Sequence, residues 1–154
     1  RLNAALGENR ANLCDFSEAE YAAAEARLGP DKVKDRVKHV IFENERVKRA
    51  VSALENGNLK AFGTILCEAH ASIRDLYEVT GPELDTMFEI ASHTDGCIGA
   101  RMTGAGFGGC TVNIVRKESA EAFIRDVGRA YTQRTGIVPE FYLCTAGDGA
   151  RELF

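Results

Sequence analysis

The chain has 154 residues, 45% of them hydrophobic and 27% charged, with a formal net charge of −4. That length suits one domain with a sizeable core, and the proportions are ordinary for a soluble globular chain. The negative balance argues against nucleic acid or an anionic membrane as the main partner, and no apolar run approaches the ~20 residues of a membrane span.

No signal peptide opens the chain, which starts at Arg1 and reads as a piece of a longer protein. The cysteines (Cys14, Cys67, Cys97, Cys110, Cys144) are odd in number and form no C-x-x-C pair. Most have apolar neighbours, which predicts reduced core thiols in a cytoplasmic protein. The histidines (His39, His70, His93) and the cysteines lack paired metal spacings, so no metal site is expected.

Residues 1–16 carry little pattern and read as a lead-in along the surface. Ser17-Glu-Ala-Glu20 is a capping box opening an alanine-rich helix that stops at Gly29-Pro30. A long helix is predicted over 31–56, with Val33, Val37, Val40, Ile41, Val47, Val51 and Leu54 on one stripe and Gly57 ending it. Its alternating charges read as a solvated face. The next helix spans 58–77, with Leu59, Phe62, Leu66, Ala69, Ile73 and Leu76 toward the core. His70 and Ser72 ride on it, and two positions apart they diverge around the helix. Thr80-Gly-Pro-Glu83 reads as a second capping box, for a helix ending near Gly96.

A hairpin follows, with strands over 97–102 and 110–115 around a glycine-rich turn. A helix from Lys117 to Gly136, a third strand over 138–144, a turn at 147–149 and a short fourth strand over 150–154 complete the predicted order. Helices first, then strand–strand–helix–strand, gives an α+β domain whose antiparallel sheet is covered by helices on one face.

The turn is the chemical centre of the sequence. Thr103, Gly104, Ala105, Gly106, Phe107, Gly108 and Gly109 form a segment dense in glycine, whose backbone N–H groups can make a concave anion site. Gly104, Gly106 and Gly109 spell G-x-G-x-x-G, but a β-branched strand leaves the loop where a dinucleotide site requires a helix. Protein-kinase and Walker A strings are also absent. A plain hairpin turn is the competing reading.

The stretch Gly99-Ala-Arg-Met-Thr-Gly-Ala-Gly-Phe-Gly-Gly-Cys110 resembles the third, C-terminal glycine motif of the galactokinase family, within the GHMP kinases. Arg36-Val-Lys-His-Val-Ile-Phe-Glu-Asn-Glu-Arg-Val47 is similar to that family's R-x-x-H-V-x-x-E-N-x-R-V segment. Glu68-Ala-His-Ala-Ser-Ile-Arg-Asp75 and Tyr77-Glu-Val-Thr-Gly-Pro-Glu-Leu-Asp85 resemble the run that follows it. Cys67, Ala69 and Leu76 depart from the usual pattern. The resemblance implies a ferredoxin-like C-terminal domain, 1–154, of a two-domain kinase that uses ATP and Mg²⁺ to phosphorylate galactose. It also implies an N-terminal half as partner, carrying the G-L-S-S-S phosphate loop, the catalytic groups and the metal ligands. No catalytic residue is therefore expected here, nor tight nucleotide binding by this part alone. The resemblance sets the glycine loop against the phosphate loop, so a side chain at Gly106 is expected to strike the nucleotide or that loop and to be milder in this chain alone. Arg101 reads equally as a phosphate clamp or a structural ion pair. His70, with Ser72, reads as a core residue or as support for the loop. The rival reading is a free-standing ferredoxin-like regulatory module that binds a small anion.

Overall fold

The computed structural model describes residues 1–147, 149 and 152. Its first segment corrects the expectation for 1–16. Helix α1 (Leu2–Leu6) and a 3-10 turn (Leu13–Asp15) put Leu2 and Phe16 into a cluster with Tyr21, Ala24, Leu28, Val37 and Ile41. Arg10 fastens the segment, 4.5 Å over the Phe16 ring and 2.6 Å from Glu20. That guanidinium bond, with help from Ser17, holds the Glu20 carboxyl down at about 2. The anchors are scattered single residues, so no period announced them.

Helix starts follow the capping residues. Ser17 and Glu20 exchange bonds at α2 (Glu18–Ala24). The Asp31 side chain accepts the Lys34 N–H at the start of α3 (Lys32–Glu55), and Asn58 accepts the Ala61 N–H at α4 (Leu59–Ser72). The predicted stripe of α3 is only partly buried. Val37 and Ile41 meet α2 and the lead-in, whereas Val33, Val47, Val51 and Leu54 are about half exposed because the stripe outruns its neighbours. The charged face also differs from the solvated one expected: Glu43 and Arg46 are largely buried and pair at 2.6 Å.

On α4 the buried positions are Gly63, Ile65, Ala69, His70 and Ser72, while Leu59 is half exposed. The helix is turned this way because it lies against β1 (Cys97–Thr103) backbone to backbone. A Cβ at Gly63 would overlap the Ile98 carbonyl, and one at Gly99 would overlap Gly63. The last turn widens into a π turn (Ile73–Tyr77), and Glu78 closes it at φ 60°. Thr80 is buried rather than capping. Gly81, at φ 150°, takes the N-cap position of α5 (Pro82–His93) without a side-chain bond, and Pro82 fills its first turn.

Strands β1 and β2 (Cys110–Val115) pair antiparallel, with Met102 opposite Thr111 and Ala100 opposite Asn113. Helix α6 (Ala120–Thr135) ends on left-handed Gly136. Phe88 and Ala91 of α5 pack with Ala100 of β1 and with Phe123 and Val127 of α6. The class is α+β, with a two-stranded antiparallel sheet among the described residues. The third strand expected over 138–144 is not formed. Phe141 packs beside that cluster, but Val138, Tyr142 and Leu143 are 77–80% exposed, and among the described residues the sheet holds only β1 and β2. Of the predicted fourth strand over 150–154 all but residue 152, and of the preceding turn residue 148, lie outside the described residues. No described helix is long and apolar enough to cross a membrane. All five cysteines are free, but Cys14, Cys110 and Cys144 are exposed, contrary to the core expectation.

Gly63 is the critical packing position. Gly63→Ala is expected to cost about 3 kcal/mol through forced separation of α4 and β1, lowering Tm by roughly 6–12 °C. Thermal and denaturant melts of the two chains check this.

Candidate functional site: the glycine loop and its supports

Thr103 ends β1 at the surface, and the chain turns through 104–109 before β2. Among the described residues, only the Phe107 N–H of this loop meets a backbone carbonyl, Val79 O at 2.7 Å. Gly106 lies against the same carbonyl: with φ at 88°, a Cβ there would overlap Val79 O. A Gly106 side chain was expected to be milder in this chain alone because nothing there would meet it; Val79 removes that premise. Gly104, Gly108 and Gly109 behave differently. Each has positive φ, but nothing lies within 4 Å of the Cβ direction. Their backbone is approachable from outside. Phe107 has φ 60°, uncommon for a residue with a side chain, and its ring is 79% exposed at the tip.

The base of the loop is held by His70. Its ring is fully buried, and Nδ1 accepts the Met102 N–H at 3.1 Å. The ring proton therefore sits on Nε2, which faces Asp85 Oδ1 at 3.4 Å, while the ring stacks 3.8 Å from Phe88. Burial pushes the imidazole pKa down, against the opposing pull of Asp85. Ser72 points elsewhere, to His39 Nδ1 at 2.9 Å, and His39 stacks on Tyr77 at 4.7 Å. Burial lowers the His39 pKa as well. His70, from α4, thus holds the strand at the base of the loop, while His39, from α3, ties to Ser72 at the end of α4 and to Tyr77 in the turn that follows.

Arg101 is half-buried and is held by Glu43 of α3 at 2.9 Å, with Nε donating to Met102 O at 3.2 Å. Its charge is matched within the chain. Between loop and helices opens a cleft of about 400 Å³, lined by His39, Tyr77, Val79, Arg101, Thr103 and Gly104 among others. Among the described residues, no group of three His, Cys, Asp or Glu side chains is placed to hold a metal ion. The arrangement can offer backbone N–H groups and an approachable main chain to an anion.

The structure thus gathers Arg101, Thr103 and residues 104–109 at one end of the hairpin, with His70 beneath. Ser72 is in the neighbouring layer. Sequence reasoning missed Val79, His39, Glu43 and Gly63 as supports. Gly63 carried a signal, since a mid-helix glycine costs about 1 kcal/mol relative to Ala and needs a packing reason. Val79 carried none.

Two outcomes follow from this geometry. Gly106→Ala should lower Tm of this chain several degrees further than Gly104→Ala, because the first adds a backbone clash to the left-handed penalty of about 1–2 kcal/mol that both incur. Parallel thermal melts check it. The buried histidines make stability pH-dependent. Their folded-state pKa values lie below the ordinary value near 6.5, so the unfolded chain takes up protons first. Stability should be full above that value and fall as pH drops below it. Replacing both with Gln should flatten the stability–pH slope between about pH 7 and 5. Urea unfolding across that range checks it.

Comparison with known proteins gives the geometry a family. Residues 50–133 match the family described as GHMP kinases C terminal. Galactokinase of Clostridium tetani is 45% identical over 141 residues, covering 92% of this chain and 36% of that protein. Galactokinase of Halalkalibacterium halodurans is 44% identical over 144 residues, covering 94% of this chain and 36% of that one. The solved structure of Lactococcus lactis galactokinase complexed with galactose aligns with TM-score 0.84 and 40% identity over 92% of this chain and 38% of that chain. The chain therefore spans a little over a third of the length of these relatives. Its matched region, containing α4, α5 and the glycine hairpin, makes it a member of the GHMP kinase family, as that family's C-terminal domain.

Proposed function

We propose that the full protein is a galactokinase, transferring the γ-phosphoryl group of ATP to galactose, and that this chain supplies its glycine loop and the scaffold beneath. The observation that carries the reading is the extent of the likeness: 40% identity at TM-score 0.84 to a galactokinase solved with galactose, over 92% of this chain. The loop's chemistry agrees with it. Phosphoryl transfer depends on positioning and on stabilising spread negative charge. Approachable backbone at Gly104, Gly108 and Gly109 suits a phosphate-bearing partner. ATP is a substrate in this reading. The catalytic base, the main phosphate loop and the Mg²⁺ ligands are assigned to the remaining two-thirds of the protein, which is this chain's partner, and the cytoplasm is the assigned location. No observation favours the regulatory-module reading.

The purified full-length protein should phosphorylate galactose with ATP, and the 154-residue chain alone should show no turnover above a no-protein control. A coupled assay for ADP release checks both. Turnover by the chain alone would overturn the division of roles, and a full-length protein inactive on galactose would overturn the assignment.

A further inference from the structure

The last buried backbone donor of β1 before the glycine turn is held by a side chain. The Met102 N–H donates to His70 Nδ1 at 3.1 Å, outside the β1–β2 ladder, and the next residue, Thr103, ends the strand. The acceptor is a ring nitrogen, and it accepts in only one proton state of the ring. With its single proton on Nε2, the imidazole receives the Met102 N–H. With the proton on Nδ1, or with both nitrogens protonated, the ring turns a donor toward a donor. The position of one proton inside the domain therefore decides whether the base of the loop is fastened.

Asp85, in the first turn of α5, is placed to select that state. Its Oδ1 lies 3.4 Å from His70 Nε2, and both atoms are buried with no hydrogen-bond partner elsewhere among the described residues. A buried N–H and a buried carboxylate oxygen that face only each other are a matched pair. The carboxylate draws the ring proton to Nε2 and leaves Nδ1 free to accept. Phe88, stacked 3.8 Å from the imidazole, fixes the ring plane. The other charges around the ring come from the π turn, where Arg74 pairs with Asp75 at 2.7 Å, and from β1, where Glu43 holds Arg101. Burial first, then Arg74 and Arg101, oppose a second ring proton, and Asp85 favours it.

We propose that Asp85 and His70 are one positioning unit for the glycine loop: Asp85 keeps the ring proton on Nε2, and the free Nδ1 fixes Met102 and with it the start of the turn. The pair acts on phosphoryl transfer only through that backbone bond. What position 70 must supply is then an acceptor at the place of Nδ1, and neither bulk nor charge replaces it. Asparagine carries its side-chain oxygen at the same remove from the main chain as Nδ1, whereas glutamine carries its polar atoms out where Nε2 lies. The ordinary order of similarity is therefore inverted. Asparagine, the smaller residue, substitutes for His70, and glutamine, the closer match in size, does not. At position 85 the requirement is an oxygen that accepts from Nε2, which asparagine keeps and leucine lacks.

The test uses the full-length protein from the same reading frame, with melts setting a temperature at which every variant is folded. Long-range ¹H–¹⁵N spectra of ¹⁵N-histidine protein, with His70 identified by its loss in His70→Asn, should show Nε2 protonated and Nδ1 bare. The Met102 amide should exchange as slowly in His70→Asn as in the parent, and about tenfold faster or more in His70→Gln. In the galactose assay, His70→Asn and Asp85→Asn should keep kcat within about threefold, while His70→Gln and Asp85→Leu lose about a hundredfold with KM for galactose little changed. A proton on Nδ1, Met102 exchange equal in the two His70 variants, or a glutamine variant as active as the asparagine one would overturn the proposal. Full activity in Asp85→Leu would overturn the part given to Asp85. The kinetic arm rests on the galactokinase reading. The spectra and the Met102 exchange need no substrate, so the positioning unit and the substrate assignment fail separately.

Discussion

The glycine loop depends on how closely α4 lies along β1. Gly63 and Gly99 bring helix and strand backbones into direct contact. At that separation His70 reaches the Met102 N–H and fixes the strand one residue before the loop begins. The same helix continues into the π turn, whose carbonyl at Leu76 is held by Arg36 and whose closing residue, Glu78, is held by Lys32 and Arg36. The turn delivers Val79 O to the Phe107 N–H on the other flank. A π turn inserts one extra residue per turn, which is how α4 reaches both ends of the loop.

The consequence is a division within the loop. Gly106 and the Phe107 N–H belong to the interior of the domain, and Gly104, Gly108 and Gly109 face outward. A loop fixed from inside leaves less conformational entropy to be lost when a phosphate or a neighbouring loop arrives, which is the usual benefit of preorganisation. The left-handed Phe107 is consistent with that role, since backbone strain persists only where surrounding contacts hold it.

Much of this was legible in the sequence because it was written locally. Ser17 with Glu20, Asp31, Asn58 and Gly136 mark helix ends by their own hydrogen bonds, and Thr111, Val112, Ile114 and Val115 mark β2 by shape. The glycine motif marked the loop and its family. Legibility failed where the cause was long-range. Leu2 and Phe16 are core residues only because Arg10 folds the lead-in back onto Glu20. Thr80 resembles a cap, yet Gly81 takes that place. The α4 stripe predicted Leu59 and Leu66 inward, but contact with β1 rotated Gly63 and His70 there instead. The strand pattern at 138–144 gives a propensity, and a strand also needs a neighbour.

The central claim is that contacts inside this chain, and no bound nucleotide or sugar, set the conformation of the loop. A scalar coupling transmitted through the hydrogen bond from Phe107 ¹⁵N to Val79 ¹³C′, measured by NMR in the ligand-free 154-residue chain, tests it most directly. A resolved cross-peak, of size comparable to those from bonds within α3, is the predicted result. Its absence, with the α3 cross-peaks present in the same spectrum, would contradict the claim and mean that the loop is shaped by what binds it.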